Sequence, residues 1–143
     1  MFALTMFNLD PKLAADTVDI CELNLCRVLL MNDARYPWLI LVPALSDLTE
    51  IGDLERDDRI RLSDEVNAAA TTLKILYKPL KMNIGALGNI VRQLHIHIIG
   101  RNELDPAWPG PAWGHSPPEP YAPEALERRT QEITGKIGFL PAR

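Results

Sequence analysis

The stretch VRQLHIHIIGR, residues 91–101, holds two of the chain's three histidines within an otherwise apolar run. Its polar and apolar side chains alternate, which is the period of a β-strand and predicts that they point to opposite faces. The polar face consists of Gln93, His95 and His97. We expect the apolar face to be the core side and the polar face to be wet or to meet a ligand, because a buried imidazole without a partner is costly.

Three interpretations of the histidine pair follow from the residues alone. The first is a half-exposed strand whose polar face happens to carry histidine. The second is a zinc or copper site, but its third ligand would have to be Glu103, Asp105 or His115, and no spacing supports one of them. The third is a phosphate site, since a neutral imidazole attacks phosphorus and a neighbouring imidazole or amide can hold anionic oxygens.

The composition is that of an ordinary globular chain and limits the classes of partner. The 143 residues, of which 47% are hydrophobic, predict one domain spanning residues 1–143. The net charge of −4 argues against nonspecific binding to nucleic acid or to an anionic membrane. No apolar run approaches the length of a membrane span and no signal peptide is recognised, so we expect a cytoplasmic protein with Cys21 and Cys26 as free thiols.

Further strand and helix patterns on either side of the stretch predict an α+β fold. Residues 26–33 and 38–44 are apolar runs joined by a short polar turn, which predicts an antiparallel hairpin covered on both faces. Apolar residues recur at helical spacing over 62–76 and predict a long packing helix that ends at Pro79. With a further strand over 81–89, the expected fold is an antiparallel sheet covered by one long helix.

Polar residues predict two short helices and several solvated positions. Asp10 is expected to cap a short helix, and Asp47 forms a predicted capping box with Glu50 at the start of another. The charged residues expected to lie in solvent are Arg35, Glu65, Arg92 and Arg101.

The C-terminal part of the chain changes in composition. Residues 102–123 contain seven of the twelve prolines and two of the three tryptophans. We therefore expect an irregular tail over about 105–122 and a C-terminal helix over 123–138. The tryptophans, Trp108 and Trp113, would either stack on a nucleobase or pin the tail to the sheet.

The segment NIGALGNIVRQLHIHII, residues 83–99, resembles the signature of the histidine triad superfamily. That signature has an Asn-x-Gly sequence and a glycine-bearing turn, followed by three histidines that alternate with apolar residues on the last strand of a hairpin. The matching residues are Asn83, Gly85, Gly88, Asn89, His95 and His97. The tail sequence DPAWPGPAWG is similar to that of a bacterial branch often described as hydrolases of the diadenosine tetraphosphate type.

The resemblance implies a role for each matching position. His95 would be the nucleophile that attacks the α-phosphorus, and His97 would bind the phosphate oxygens, most effectively as a cation. The positions implied to line the phosphate and ribose sites are Asn83, Asn89, Asn32 and Asp33. The attack also requires that the other nitrogen of His95 be held by an acceptor, for which a backbone carbonyl is expected.

Two positions depart from the family pattern. Gln93 stands where the first triad histidine belongs, and Trp38 stands where the family has a fourth histidine. An amide can form hydrogen bonds at this catalytic position but cannot carry a proton charge. These differences leave the nucleophile in place but weaken the proton relay.

The implied function is that of a nucleotide phosphohydrolase or nucleotidyl transferase, acting on a dinucleoside polyphosphate or nucleotide conjugate through a nucleotidyl-histidine intermediate. The alternative is a nucleotide-sensing protein with little turnover, which Gln93 and Trp38 favour. No cofactor or resident metal is required, although Mg²⁺ can accompany a polyphosphate substrate. The resemblance also implies a homodimer that pairs through the long helix and one sheet edge.

Overall fold

The predicted hairpin lies at the centre of a five-stranded antiparallel sheet. The structure is a computed structural model that describes residues 6–137. In chain order the elements are α1 (Pro11–Asp16), β1 (Thr17–Glu22), β2 (Cys26–Met31), β3 (Trp38–Pro43), α2 (Arg56–Tyr77), β4 (Lys81–Gly85), β5 (Ile96–Arg101) and α3 (Pro123–Ile137). The strand order is β1-β2-β3-β5-β4, so that β5 lies between the hairpin and the edge strand β4. The predicted α+β architecture is confirmed.

Both faces of the sheet are buried, each against a different part of the chain. One face packs against α2 and α3 in a core cluster that includes Leu30, Leu73 and Ile98. The N-terminal segment and the tail cover the other face in a second cluster that includes Leu13 and Ala112. Every residue of β5 is therefore buried. Of the two alternatives expected for the polar face, an open wet surface is not present, and contact with a ligand stays a prediction.

The short elements agree only in part with the sequence patterns. Asp10 caps α1 as predicted, because its Oδ1 accepts a hydrogen bond from the backbone N–H of Lys12 at 2.8 Å. The capping box predicted for Asp47 is wrong: the box joins Glu50 to Asp53 around a single 3-10 turn. No pattern predicts β1, an edge strand in which charged residues interrupt a short apolar run and no residue is fully buried.

Helix α2 ends as predicted but has one unexpected buried charge. Lys78 adopts a left-handed backbone with φ of 48° and is followed by Pro79, which cannot continue the helix. Glu65 is only 9% exposed, so its predicted place on the solvated face is wrong. Its carboxylate accepts hydrogen bonds from the backbone N–H groups of Leu25 at 2.9 Å and Cys26 at 2.8 Å, which fixes the start of β2.

Two arginines that were expected in solvent hold the tail instead. Arg101 is 1% exposed, and its guanidinium donates to both carboxylate oxygens of Asp105 at 2.8 and 3.0 Å. Arg35 donates in the same bidentate way to Asp33 and reaches the hydroxyl of Ser116 at 2.6 Å. Paired carboxylates and carbonyls replace the water that these guanidinium groups would otherwise bind.

The C-terminal helix and the cysteines behave as expected. The helix predicted over 123–138 is present as α3, and residue 138 lies outside the described residues. Cys21 and Cys26 are free thiols, and burial raises the pKa of each. Within residues 6–137, none of the helices combines the length and the apolar character that crossing a membrane requires.

Candidate active site

His95 lies immediately before β5, with one ring nitrogen bound to the backbone. Its Nδ1 is 2.6 Å from the carbonyl oxygen of Gln93. Because a carbonyl can only accept, Nδ1 must carry the proton, and Nε2 is left as the nitrogen with the lone pair. The expectation that a backbone carbonyl holds this ring is confirmed.

In His97 the Nδ1 atom accepts a hydrogen bond, whereas in His95 it donates one. The indole Nε1 of Trp38 donates a hydrogen bond to His97 Nδ1 at 3.1 Å. An indole nitrogen can only donate, so Nδ1 must accept and the proton of the neutral ring lies on Nε2. Burial and the neighbouring His95 lower the pKa of His97 to about 4. His97 was predicted to bind phosphate most effectively as a cation, and the lowered pKa means that this condition is not met near neutral pH.

The two imidazoles point the same way, as the alternation predicts, although β5 begins only at Ile96. Their ring centroids are 4.9 Å apart. The ring of His97 also meets the edges of Trp38 at 5.7 Å and of Trp113 at 5.6 Å. His95 and His97 are 6% and 9% exposed, so the pair lies in a mostly aromatic enclosure and not on an open strand face.

Gln93, at the first triad position, holds the N-terminal segment through both the oxygen and the nitrogen of its amide. Its Oε1 accepts from the backbone N–H of Asp10 at 2.8 Å, and its Nε2 donates to the carbonyl oxygen of Asn8 at 2.8 Å. Both ends of the amide are therefore occupied by backbone partners. Each bond uses one of the two donors or one of the two acceptor sites of the amide. Gln93 therefore positions the chain beside His95 and also lines the cleft at that histidine.

An open cleft of about 320 Å³ gives access to His95. Its polar lining residues are Thr49, Glu50, Asn89, Arg92, Gln93 and His95. Among the described residues that line it, Arg92 is the one cation and Glu50 the one carboxylate. The turn that forms one wall requires Gly88, whose φ of 69° lies in the left-handed region that other residues rarely adopt. The cleft therefore brings one cationic and one anionic side chain to the same cavity as His95.

A second cleft of about 450 Å³ adjoins the first. It shares Thr49 and Gln93 with the His95 cleft and is otherwise lined in part by Met6, Asn8 and Asp47. The segment that carries Thr49 and Glu50 reaches the site through a backbone bond from the Leu94 N–H to the Leu48 carbonyl at 2.9 Å. No sequence pattern indicated this approach.

The chain matches a known protein family over more than half of its length. A protein-family model described as the HIT domain matches residues 12–104 of the chain. The chain belongs to the histidine triad (HIT) family. The match ends before most of the tail, so the HIT model does not include Trp113, which contacts His97.

Solved structures of HIT proteins are similar over nearly the whole chain. A histidine triad protein from Sinorhizobium meliloti is 46% identical with a TM-score of 0.90, and the match covers 94% of this chain and 99% of that one. One from Marinobacter aquaeolei VT8 is 45% identical with a TM-score of 0.92, covering 95% and 99%. One from Bradyrhizobium japonicum is 41% identical with a TM-score of 0.90, covering 92% and 98%. No curated protein matches the chain.

The positions that the HIT resemblance assigns to phosphate and ribose lie in different places. Asn89 lines the His95 cleft. Asn83 Oδ1 accepts from Arg101 at 2.8 Å, and Asn32 Oδ1 accepts from the backbone N–H of Tyr121 at 3.0 Å. The carboxylate of Asp33 is occupied by Arg35. These last three side chains hold the tail and the sheet edge, so their assignment as ligand contacts stays a prediction.

Two contributors to the site were missed or misjudged from the sequence. Arg92 is exposed as predicted, yet it lines the cleft and is not merely a solvated strand end. Trp38 was noted only as the residue that stands in place of the fourth histidine, whereas its indole sets the proton position of His97. Within residues 6–137 no cluster of three or more histidine, cysteine or acidic side chains could hold a metal ion.

Proposed function

We propose that this HIT protein is a nucleotide-binding enzyme in which His95 accepts a nucleotidyl group from a nucleoside polyphosphate and passes it to water or another acceptor. The observation that carries the proposal is the orientation of His95. Its Nδ1 is bound to the Gln93 carbonyl at 2.6 Å, and the ring lines an open cleft. The remaining nitrogen, Nε2, is thus the one available to attack phosphorus.

The same hydrogen bond supports the intermediate. When Nε2 forms a bond to phosphorus, the ring becomes a cation that keeps its proton on Nδ1. The Gln93 carbonyl oxygen then faces that charged N–H, and a hydrogen bond to a charged group is stronger than one between neutral groups. Arg92 and Asn89, which line the cleft, would meet the phosphate oxygens.

Hydrolysis of a dinucleoside polyphosphate such as diadenosine tetraphosphate is the activity we propose first. The test is to incubate purified protein with this compound and to measure release of mononucleotide. His95→Asn is the informative variant, because its amide can still donate to the Gln93 carbonyl while lacking the nucleophilic nitrogen. We expect release by the natural protein and by the control His115→Asn, which changes an exposed histidine, and none by His95→Asn.

The second candidate is a nucleotide sensor with little turnover. It is favoured by Gln93, whose amide binds two backbone groups and cannot carry a proton charge, and by the neutral ring of His97. Calorimetry with the same compound distinguishes the two functions. Tight binding without product release would support the sensor and contradict the enzyme.

Three broader features belong to the same proposal. We propose a homodimer, supported by the exposed apolar side chains Leu80 and Ile84 along the edge strand β4. Mg²⁺ would arrive with a polyphosphate substrate and neutralise part of its charge. A cytoplasmic location is proposed as well, in keeping with the free thiols.

A further inference from the structure

The proton on His97 is fixed by a residue from another strand. Trp38, from β3, donates to His97 Nδ1, so a second proton at that nitrogen would face the indole N–H directly. Both side chains are buried, at 5% and 9% exposure, and water is not there to relieve that conflict. The Nε2–H of a neutral imidazole can form a hydrogen bond, but it is not acidic enough to be transferred near neutral pH.

Apart from the exposed Glu50, the other polar groups that line the cleft are poor proton donors. The amide of Gln93 binds two backbone groups, and the Thr49 hydroxyl donates to Asp53 at 3.0 Å. Arg92 offers only hydrogen-bond donors, which bind an anion. Glu50, exposed at the rim, is the one carboxyl group among the described residues that line the cleft.

We propose that Trp38 makes the site selective for leaving groups that depart as stable anions, such as phosphate, polyphosphates and nucleotides, and against amines and alkoxides. The inference rests on the proposed function and names its substrate class. Trp38 is a positioning residue in this scheme, since it acts through His97 and does not touch the substrate.

The reaction balances without an internal acid. The lone pair of His95 Nε2 forms the N–P bond while the P–O bond to the leaving group breaks, and the leaving group keeps that electron pair. Water then attacks phosphorus, the electrons of the P–N bond return to Nε2, and the proton of the water passes to solvent. An amine or alkoxide would have to leave as a strongly basic anion, because no group donates a proton to it.

The test compares esters of AMP that differ in the leaving group. The p-nitrophenyl ester releases a more stable anion than the phenyl ester does. Adenosine 5′-phosphoramidate releases ammonia, the simplest amine. General acid catalysis is typically worth about 10²–10⁴-fold. We therefore expect the natural protein to use the p-nitrophenyl ester at least about 10²-fold faster than the phenyl ester and the amidate.

Trp38→Phe removes the indole N–H but keeps an aromatic ring. Removing the donor that faces Nδ1 should make a second proton there easier to accept, while burial and His95 still lower the pKa of His97. We expect the ratio between the two esters to narrow by about tenfold at about pH 6. The nitrogen chemical shifts of His97 should report the change at Nδ1 independently of activity. Trp113→Phe is the matched control: it alters the other aromatic wall of His97, donates nothing to that ring, and should leave the ratio unchanged.

The outcomes separate this inference from the proposed function. Similar rates for all leaving groups in the natural protein would overturn the inference and leave the enzyme standing. A ratio that changes with Glu50→Gln and not with Trp38→Phe would assign the proton to Glu50 and also overturn it. Failure of every ester to react with His95 would overturn the proposed function, and this inference with it.

Discussion

Two histidines only two residues apart are held with opposite proton positions. The Nδ1 of His95 faces a carbonyl, which requires a donor, whereas the Nδ1 of His97 faces an indole N–H, which requires an acceptor. The first partner is local and could be predicted from the sequence. The second, Trp38, is 59 residues away along the chain, and that separation is why the proton position of His97 could not be predicted from the sequence.

The lowered pKa of His97 predicts a loss of stability in mild acid. The folded pKa of about 4 lies below the ordinary histidine value of about 6.5, so the unfolded chain binds more protons between these two pH values. The free energy of unfolding should therefore fall as pH drops from about 6.5 to about 4, by about 3 kcal/mol in total from this residue. Urea denaturation at a series of pH values measures it.

His97→Gln supplies the control for this prediction. The variant lacks the titrating ring, and its unfolding free energy should depend less on pH across the same window. His115→Gln changes an exposed histidine and should keep the pH dependence of the natural protein. Equal pH dependence in His97→Gln and the natural protein would contradict the lowered pKa of His97.

At the scale of elements, Gln93 joins the N-terminal segment to the strand that carries the histidines. Replacing it by methionine removes both hydrogen bonds to Asn8 and Asp10 while keeping a similar shape. We expect a loss of about 1 kcal/mol and correspondingly faster hydrogen exchange at the Asp10 amide. The control Gln131→Met alters an exposed glutamine of α3 and should leave the Asp10 amide protected. Unchanged stability and unchanged exchange at Asp10 in Gln93→Met would contradict the role of Gln93 in holding the N-terminal segment.

Arg101 joins β5 to the tail. Arg101→Lys keeps the charge but loses the planar fork that binds Asp105 and also reaches Asn83. Because the site is buried, we expect the free energy of unfolding to fall by about 3 kcal/mol. Arg92→Lys, on an exposed arginine, should change it by less than about 0.5 kcal/mol. Similar small losses of unfolding free energy in both variants would contradict a stabilising role for the hydrogen bonds of Arg101.

The alternation around β5 was sufficient to predict which side chains share a face. It could not predict that the polar face is buried, because two segments distant in sequence cover it: the N-terminal segment and the tail. The burial of Glu65 also could not be predicted from the sequence pattern. Its place on the helix indicated solvent, yet the start of β2 brings two backbone N–H groups to its carboxylate.

At the scale of the whole molecule, the order of hairpin, long helix and glycine-bearing strand predicted the fold, and the signature over residues 83–99 predicted the family. The HIT domain match ends at residue 104. Beyond it, Ala112 and Trp113 still pack over the histidine face of the sheet. The sequence marked the tail by its prolines and tryptophans, but only the Arg101 and Arg35 contacts show where it lies.

The proposed homodimer can be tested on the edge strand. Ile84 is 48% exposed on β4, and a charge there should oppose pairing through this edge. We expect the natural protein to have the mass of a dimer in light scattering after size exclusion, and Ile84→Glu that of a monomer. Leu104→Glu changes an apolar residue that is 95% exposed and should remain dimeric. A monomeric natural protein would contradict the proposal.

The most direct measurement is the identity of the atom that becomes covalently attached to nucleotide. The protein would be mixed with the p-nitrophenyl ester of AMP, quenched rapidly in alkali, digested and mapped by mass spectrometry. An adenylyl group on His95, with His97 and His115 unmodified, is the result predicted from the free Nε2 in the cleft. Nucleotide on His97, or turnover with no adduct on any histidine, would contradict it.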